Sequence, residues 1–298
     1  MIEIAGLVAR WARFASVLAV VGAVVFRLIV LRRAAVGATT VVAATRRVAT
    51  LGAIASAVIA ISAVAWLTFQ TADMRFPDEP WLEVAARLVT QTLWGTVWIV
   101  HIVTALLLIA AFTAARRGGP SRWIIPAVLS IVLAVTLTTS SHAMSAKRLS
   151  NVSVIADLLH VLGASAWLGT LSVMFTSIAS GDGAFEGDGR YVSELLRTFS
   201  PIALTSAGLV VCSGVVSSLA HIQTVNGLFS SQYGLTLLAK LASVLAIALF
   251  GWRNWKRITP GVLAAGSGHM RRGMAAELLT TTVVLLLTAA LVVTEPPT

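Results

Sequence analysis

The chain has 298 residues, of which 57% are hydrophobic and 11% charged, and its mean hydropathy is +0.89. So much apolar surface exceeds what a water-soluble core of this size can bury, which implies an integral membrane protein. The formal net charge of +10 would suit a nucleic-acid binder, but the placement of the basic residues along the chain excludes that reading, as set out below.

A helix crossing about 30 Å of hydrocarbon needs roughly 20 mostly apolar residues. Such runs recur at 7–31, 48–70, 92–115, 122–141, 152–178, 198–220, 233–254 and 275–294. They predict an all-α, polytopic bundle of eight transmembrane helices. Membrane strands would alternate polar and apolar residues over about 10 positions, whereas "TTTVVLLLTAALVV" is apolar on every side.

The first run ends in "LRR" without a small-residue cleavage site, so it reads as a retained span with a stop-transfer flank. After the second comes an acidic loop with Asp73, Met74, Asp78, Glu79 and Glu83. The third carries Trp94, Trp98 and His101 at the spacing of one helix face. The fourth ends at "TSSHAMSAK", which contains His142 and Met144.

The fifth holds "DLLHVLGASAWLGTL", in which Asp157, His160, Ala164, Trp167, Leu171 and Met174 follow the three-or-four spacing of a single stripe. Gly163 and Gly169 in this segment permit close helix approach. A short acidic, glycine-rich segment, 181–197, reads as an inner linker. The sixth span contains Cys212 and ends at His221, and the seventh carries Lys240. The whole is read as a single membrane domain, with four spans in 1–141, the fifth in 142–180 and the last three in 198–298.

Assigning Lys and Arg to alternate loops places fourteen on one side: Arg32, Arg33, Arg46, Arg47, Arg116, Arg117, Arg122, Arg190, Arg197, Arg253, Lys256, Arg257, Arg271 and Arg272. Arg10, Arg13, Arg75, Arg87, Lys147 and Arg148 fall on the other. The positive-inside rule then puts both termini outside. The basic excess thus reads as a topology signal and an attraction to anionic lipid, with no nucleic-acid partner.

That orientation turns position into depth. His101 lies roughly 14 Å and His160 roughly 12 Å below the outer surface at 1.5 Å per residue, and His142 and His221 sit at the outer rim. Four of the five histidines therefore occupy the outer half, beneath an acidic mouth that attracts cations. Imidazole and thioether donors suit a late first-row metal, with thioether favouring Cu(I), better than calcium or magnesium, which want oxygen cages. The candidate ligands are His142, His160, His101, Met144 and His221. Asp157 is expected to orient an imidazole through its second ring nitrogen, with Lys240 gating or pairing with Asp157 and Trp167 below them. Cys212 and His221 are nine residues apart and fall on opposite helix faces, so Cys212 is read as packing. The lone cysteine also excludes an intrachain disulfide. No phosphate loop, HExxH, GxSxG or kinase-type set occurs, and no enzyme is expected.

Several spaced motifs, "SHAMSA", "LLHVLGASAWLGTL", "LRTFSPIAL", "SGVV", "YGLTLLAKL", "RNWKRITP", "AAELL" and "EPP", occur in that order from about residue 140 onward. In this the sequence resembles the CopD family of copper-resistance and copper-uptake membrane proteins. The resemblance implies a multi-pass protein of the inner, cytoplasmic membrane that handles copper, in an oxidation state left open, and that receives it from a CopC-like carrier outside. Some relatives carry that carrier as a fused domain, so here it is expected as a separate chain. By the same resemblance the family's histidines fall on His142 and His160, and its lysine on Lys240. Two alternatives stay open: a b-type haem protein with His101 and His160 as axial ligands, and a copper sensor or assembly component without transport.

Overall fold

The computed structural model describes residues 2–140, 150–179, 189–221, 225–265 and 267–294. They form helices throughout, with no strand among the described residues. In chain order these are α1 (Ile2–Val25), a π-helical turn (Phe26–Val30), α2 (Leu31–Arg33), α3 (Ala38–Met74), α4 (Trp81–Gln91) and α5 (Leu93–Ala115). A 3-10 turn (Pro120–Trp123) leads into α6 (Ile124–Thr139). Next come α7 (Ser150–Ala164), a second π turn (Ser165–Gly169) and α8 (Thr170–Ala179). The chain continues with α9 (Gly189–His221), α10 (Val225–Ser230), α11 (Gln232–Ala265) and α12 (Ser267–Leu291).

Among the described residues seven stretches are long and apolar enough to cross a membrane: Ile4–Arg33, Ala38–Met74, Leu93–Ala115, Pro120–Thr139, Asn151–Ser177, Tyr191–Leu219 and Gln232–Arg253. Ala275–Leu291 is a shorter apolar helix in the position of the eighth. The protein is therefore a polytopic helical membrane bundle. Hydrocarbon offers backbone groups no partner, and helices meet that demand within each segment. The many Ser and Thr in these spans are satisfied the same way, by donating to carbonyls one turn back: Ser56 to Gly52, Thr71 to Leu67, Ser165 to Val161 and Thr281 to Glu277.

α1 is the central helix. Protein buries 67% of the apolar window in Ile4–Arg33 but only 17% of those in Tyr191–Leu219 and Gln232–Arg253, so α9 and α11 present most of their surface outward. Apolar side chains such as Ile61, Leu106, Ile124, Leu204 and Leu241 are exposed, as expected of a surface that meets lipid. In the core Phe26, Phe112, Trp123, Leu133 and Met174 pack around α1. Phe112 and Trp123 meet edge to face with centroids 5.7 Å apart.

Close approach to α1 rests on two glycines. A methyl group built on Gly22 would fall on the backbone of Gly169, and one on Gly169 would fall on the carbonyl of Leu18. Gly169 thus performs the role that its motif suggested, with α1 as partner. Gly163 faces α9 at Ser206 and Val210.

Four elements differ from the sequence reading. Arg10 and Arg13, assigned there to an outer loop, lie inside α1, and Arg13 is buried. The acidic loop contains α4, which buries Val84, Ala85 and Leu88. It turns into α5 over a corner where Thr92 Oγ1 accepts from the Gly95 N–H at 2.9 Å and where a side chain at Gly95 would strike the carbonyls of Leu88 and Val89. The last residues of the expected 181–197 linker already belong to α9, which begins at Gly189, while 181–188 lie outside the described residues. Finally, the π turn inserts an extra residue into the fifth span, so the uniform stripe from Asp157 to Met174 is broken at Ser165–Gly169.

Candidate functional site

Two histidine-centred clusters lie in the same half of the bundle. The first joins α7, α9 and α11. His160 Nδ1 lies 3.1 Å from the Val210 carbonyl oxygen and 3.3 Å from Ser213 Oγ. A carbonyl only accepts, so Nδ1 carries the proton and Nε2 presents a lone pair. This is the tautomer that a metal-binding imidazole adopts. Gly214 leaves room for the ring: its absent Cβ would sit 3.3 Å from His160 Cε1.

Asp157 is one turn before His160, but its Oδ1 accepts from Ser217 Oγ at 2.7 Å. The acceptor that orients His160 is the Val210 carbonyl, not Asp157, because a helix projects residues three apart side by side toward a neighbouring helix. On α11, Lys240 and Tyr233 lie within reach of the Asp157 charge, and Lys240 within reach of His160. The cluster therefore combines a free imidazole lone pair, a carboxylate with one oxygen engaged by Ser217, and an ammonium.

The second cluster joins α1, α3, α5 and α6. His101 is 1% exposed, and its Nδ1 lies 2.8 Å from Thr136 Oγ1. Thr136 donates its one hydroxyl hydrogen to the Leu133 carbonyl at 2.9 Å, so it must accept from His101 Nδ1–H. Here too Nε2 is left with a lone pair, and it has no partner among the described residues. Above it Arg13, 5% exposed, places its guanidinium 4.0 Å from the Trp66 ring centroid. Trp66 meets Trp94 edge to face at 4.9 Å, and Trp98 Nε1 donates to the Ala63 carbonyl at 2.8 Å.

The predicted residues are thus distributed as follows. His160, Asp157 and Lys240 come together. His101 belongs to the other cluster: α5 packs on α3, α4 and α6, whereas α7 packs chiefly on α9. Trp167 lies in the π turn and is buried in the core beside α1, and Met174 is core packing as well. His142 and Met144 lie outside the described residues, as does the side chain of His221, whose backbone ends α9 one turn beyond Ser217. Among the described residues no three His, Cys, Asp or Glu side chains form a ready metal cage.

Sequence reasoning missed Arg13, Thr136, Ser213 and Ser217. The signal for the last two was present in "CSGVVSS", where Ser213, Gly214 and Ser217 put small polar groups on one face of an otherwise apolar helix.

Comparison with known proteins gives these clusters a context. The family profile described as Copper resistance protein D-like, N-terminal domain matches residues 1–149, and that described as Copper resistance protein D matches 193–291. His101, Arg13 and Trp66 fall in the first match. Val210, Ser213, Ser217 and Lys240 fall in the second, and His160 lies on the segment between. A copper transport protein, CutJ, of Bacillus subtilis (strain 168) is 26% identical over 165 residues, covering 54% of this chain and 30% of that protein. A copper resistance protein D of Pseudomonas syringae pv. tomato is 30% identical over 171 residues, covering 54% of each. The chain spans about half or less of the length of these relatives. No solved structure matches it at the same stringency. By the matches to both halves, this chain belongs to the copper resistance protein D family.

Proposed function

We propose that the protein binds copper from the outer side of the cytoplasmic membrane and moves it inward through the cluster around His160. The observation that carries this reading is the tautomer: His160 donates Nδ1–H to Val210 and keeps Nε2 as a donor atom for the ion. In this reading His142, Met144 and His221 collect copper at the rim, delivered by a CopC-like carrier on a separate chain. His160 accepts the ion next, with the free lone pairs of Asp157 as oxygen donors. Lys240 limits how long a cation stays, because its ammonium competes for the same carboxylate. Family membership and the copper-transport name of the Bacillus relative support the choice of ion.

The test is purified protein in nanodiscs, assayed for bound copper and by X-ray absorption, with flux measured in liposomes. Copper binding with nitrogen ligation that is lost in His160→Ala, with wild-type flux above empty liposomes, is the expected result. Copper retained in a His142→Ala, His160→Ala double variant would overturn the ligand assignment. Binding without flux would leave a copper sensor or assembly component, and a Soret band in the visible spectrum would favour haem.

A further inference from the structure

The cluster around His101 differs from that around His160 in its charge. Lys240 near His160 has Asp157 as counter-charge. Arg10 on α1 has Asp73 at the end of α3. Arg13 has neither: the charge that bears on it is Arg10, of like sign. Its Nε and Nη1 are buried without hydrogen-bond partners among the described residues, and it is itself the charge that bears on His101. The Trp66 face offsets part of the desolvation of this guanidinium but accepts no hydrogen bond from its Nε–H and Nη1–H groups, which call for an anionic acceptor. Beside it, the orphaned Nε2 of His101 needs a donor, and the adjacent guanidinium disfavours filling that need with a metal cation.

A single small ligand satisfies both: one with a negative oxygen for Arg13 and an O–H for His101. We propose that Arg13 and His101 hold a hydroxyl-bearing oxyanion, of the hydrogencarbonate or hydrogenphosphate type, beside the Trp66 ring that the guanidinium covers. The guanidinium fork takes the charged oxygens. His101, locked by Thr136 as the Nδ1–H tautomer, accepts the ligand's hydroxyl hydrogen and so selects against anions that have none. The site is independent of the copper reading, since it draws on α1, α3, α5 and α6 rather than on α7, α9 and α11.

Full-length protein in nanodiscs, titrated separately with hydrogencarbonate, phosphate, nitrate and chloride at constant ionic strength and followed by thermal unfolding and calorimetry, tests it. Saturable binding of hydrogencarbonate or phosphate, with nitrate and chloride inert, is expected. Arg13→Gln should weaken that binding by at least about 10- to 100-fold, the worth of a single charge-assisted hydrogen bond of the fork. His101→Gln should admit nitrate as well as the hydroxyl-bearing anions. Arg13→Lys, which keeps the charge and guards against misfolding, should retain weakened binding. Equal stabilisation by nitrate in the wild type, no saturable binding of either oxyanion, or binding unchanged in both Arg13→Gln and His101→Gln overturns the proposal. Copper stoichiometry that falls in His101→Gln while Arg13 is intact overturns it too, by making His101 a metal ligand.

Discussion

At the scale of the residue, two hydroxyl-and-carbonyl arrangements decide what both imidazoles can do. Thr136 has a single hydrogen and gives it to Leu133, so His101 must donate to it. Val210 can only accept, so His160 must donate as well. Replacing Thr136 with Val keeps the shape and strands a buried N–H. Thermal or denaturant unfolding in detergent should then show a loss of about 1–3 kcal/mol, the cost of an unsatisfied buried donor. A change within error would mean that His101 finds another acceptor. Such pairings were out of reach of the sequence, because the partner of each histidine is on a different helix. Asp157, three residues away, was the nearest acceptor in sequence but turns to Ser217 instead. Arg13 was hidden for another reason: a basic residue near a chain end reads as a flank of the span, and only packing shows that α1 carries it inside.

At the scale of the element, long apolar helices were the most legible feature, because spanning hydrocarbon demands length and composition that few other structures need. Seven of the eight predicted spans coincide with observed ones, some of which run on past the apolar stretch, as in the 37 residues of α3, whereas the eighth falls on the shorter apolar helix Ala275–Leu291. α4 escaped notice because 11 residues with one apolar face look like an acidic loop when searched for spans. The π turns escaped because an extra residue per turn leaves no mark on composition. The start of α4 offers a pH prediction. Glu79 binds Arg87 at 2.8 Å and accepts from the Phe76 N–H at 3.2 Å. The Arg87 hydrogen bond, helped by that amide, holds the Glu79 carboxyl below its ordinary value. A depressed carboxylate adds stability above its unfolded value near 4.3 and loses it as the pH falls through the lowered folded value. Amide exchange in Trp81–Gln91, corrected for its intrinsic pH dependence, should be flat from pH 6 to 8 and rise under acid. In Glu79→Gln the acid step should vanish.

At the scale of the whole molecule, the expected orientation rests on charge. Moving Arg10 and Arg13 into α1 removes two residues from the less basic side and so sharpens the asymmetry of the loops. Alkaline phosphatase fused to the C-terminus should be active, and the same enzyme fused after Arg117 inactive; the reverse pattern would invert the topology and put both histidine clusters in the inner half. The two clusters lie at one level: Arg13 and His160 each precede by nine residues the glycine, Gly22 or Gly169, at which their helices touch. That contact unites α1, from the half matched by the N-terminal profile, with the segment that carries His160 toward the other half. At its closest point it is backbone against backbone, clasped by Thr170 Oγ1, which donates to the Gly22 carbonyl at 3.4 Å. The Gly22–Gly169 crossing is therefore a spacer of zero thickness: a single methyl group at either glycine must wedge the two helices apart, and with them the arms that carry Arg13 and His160.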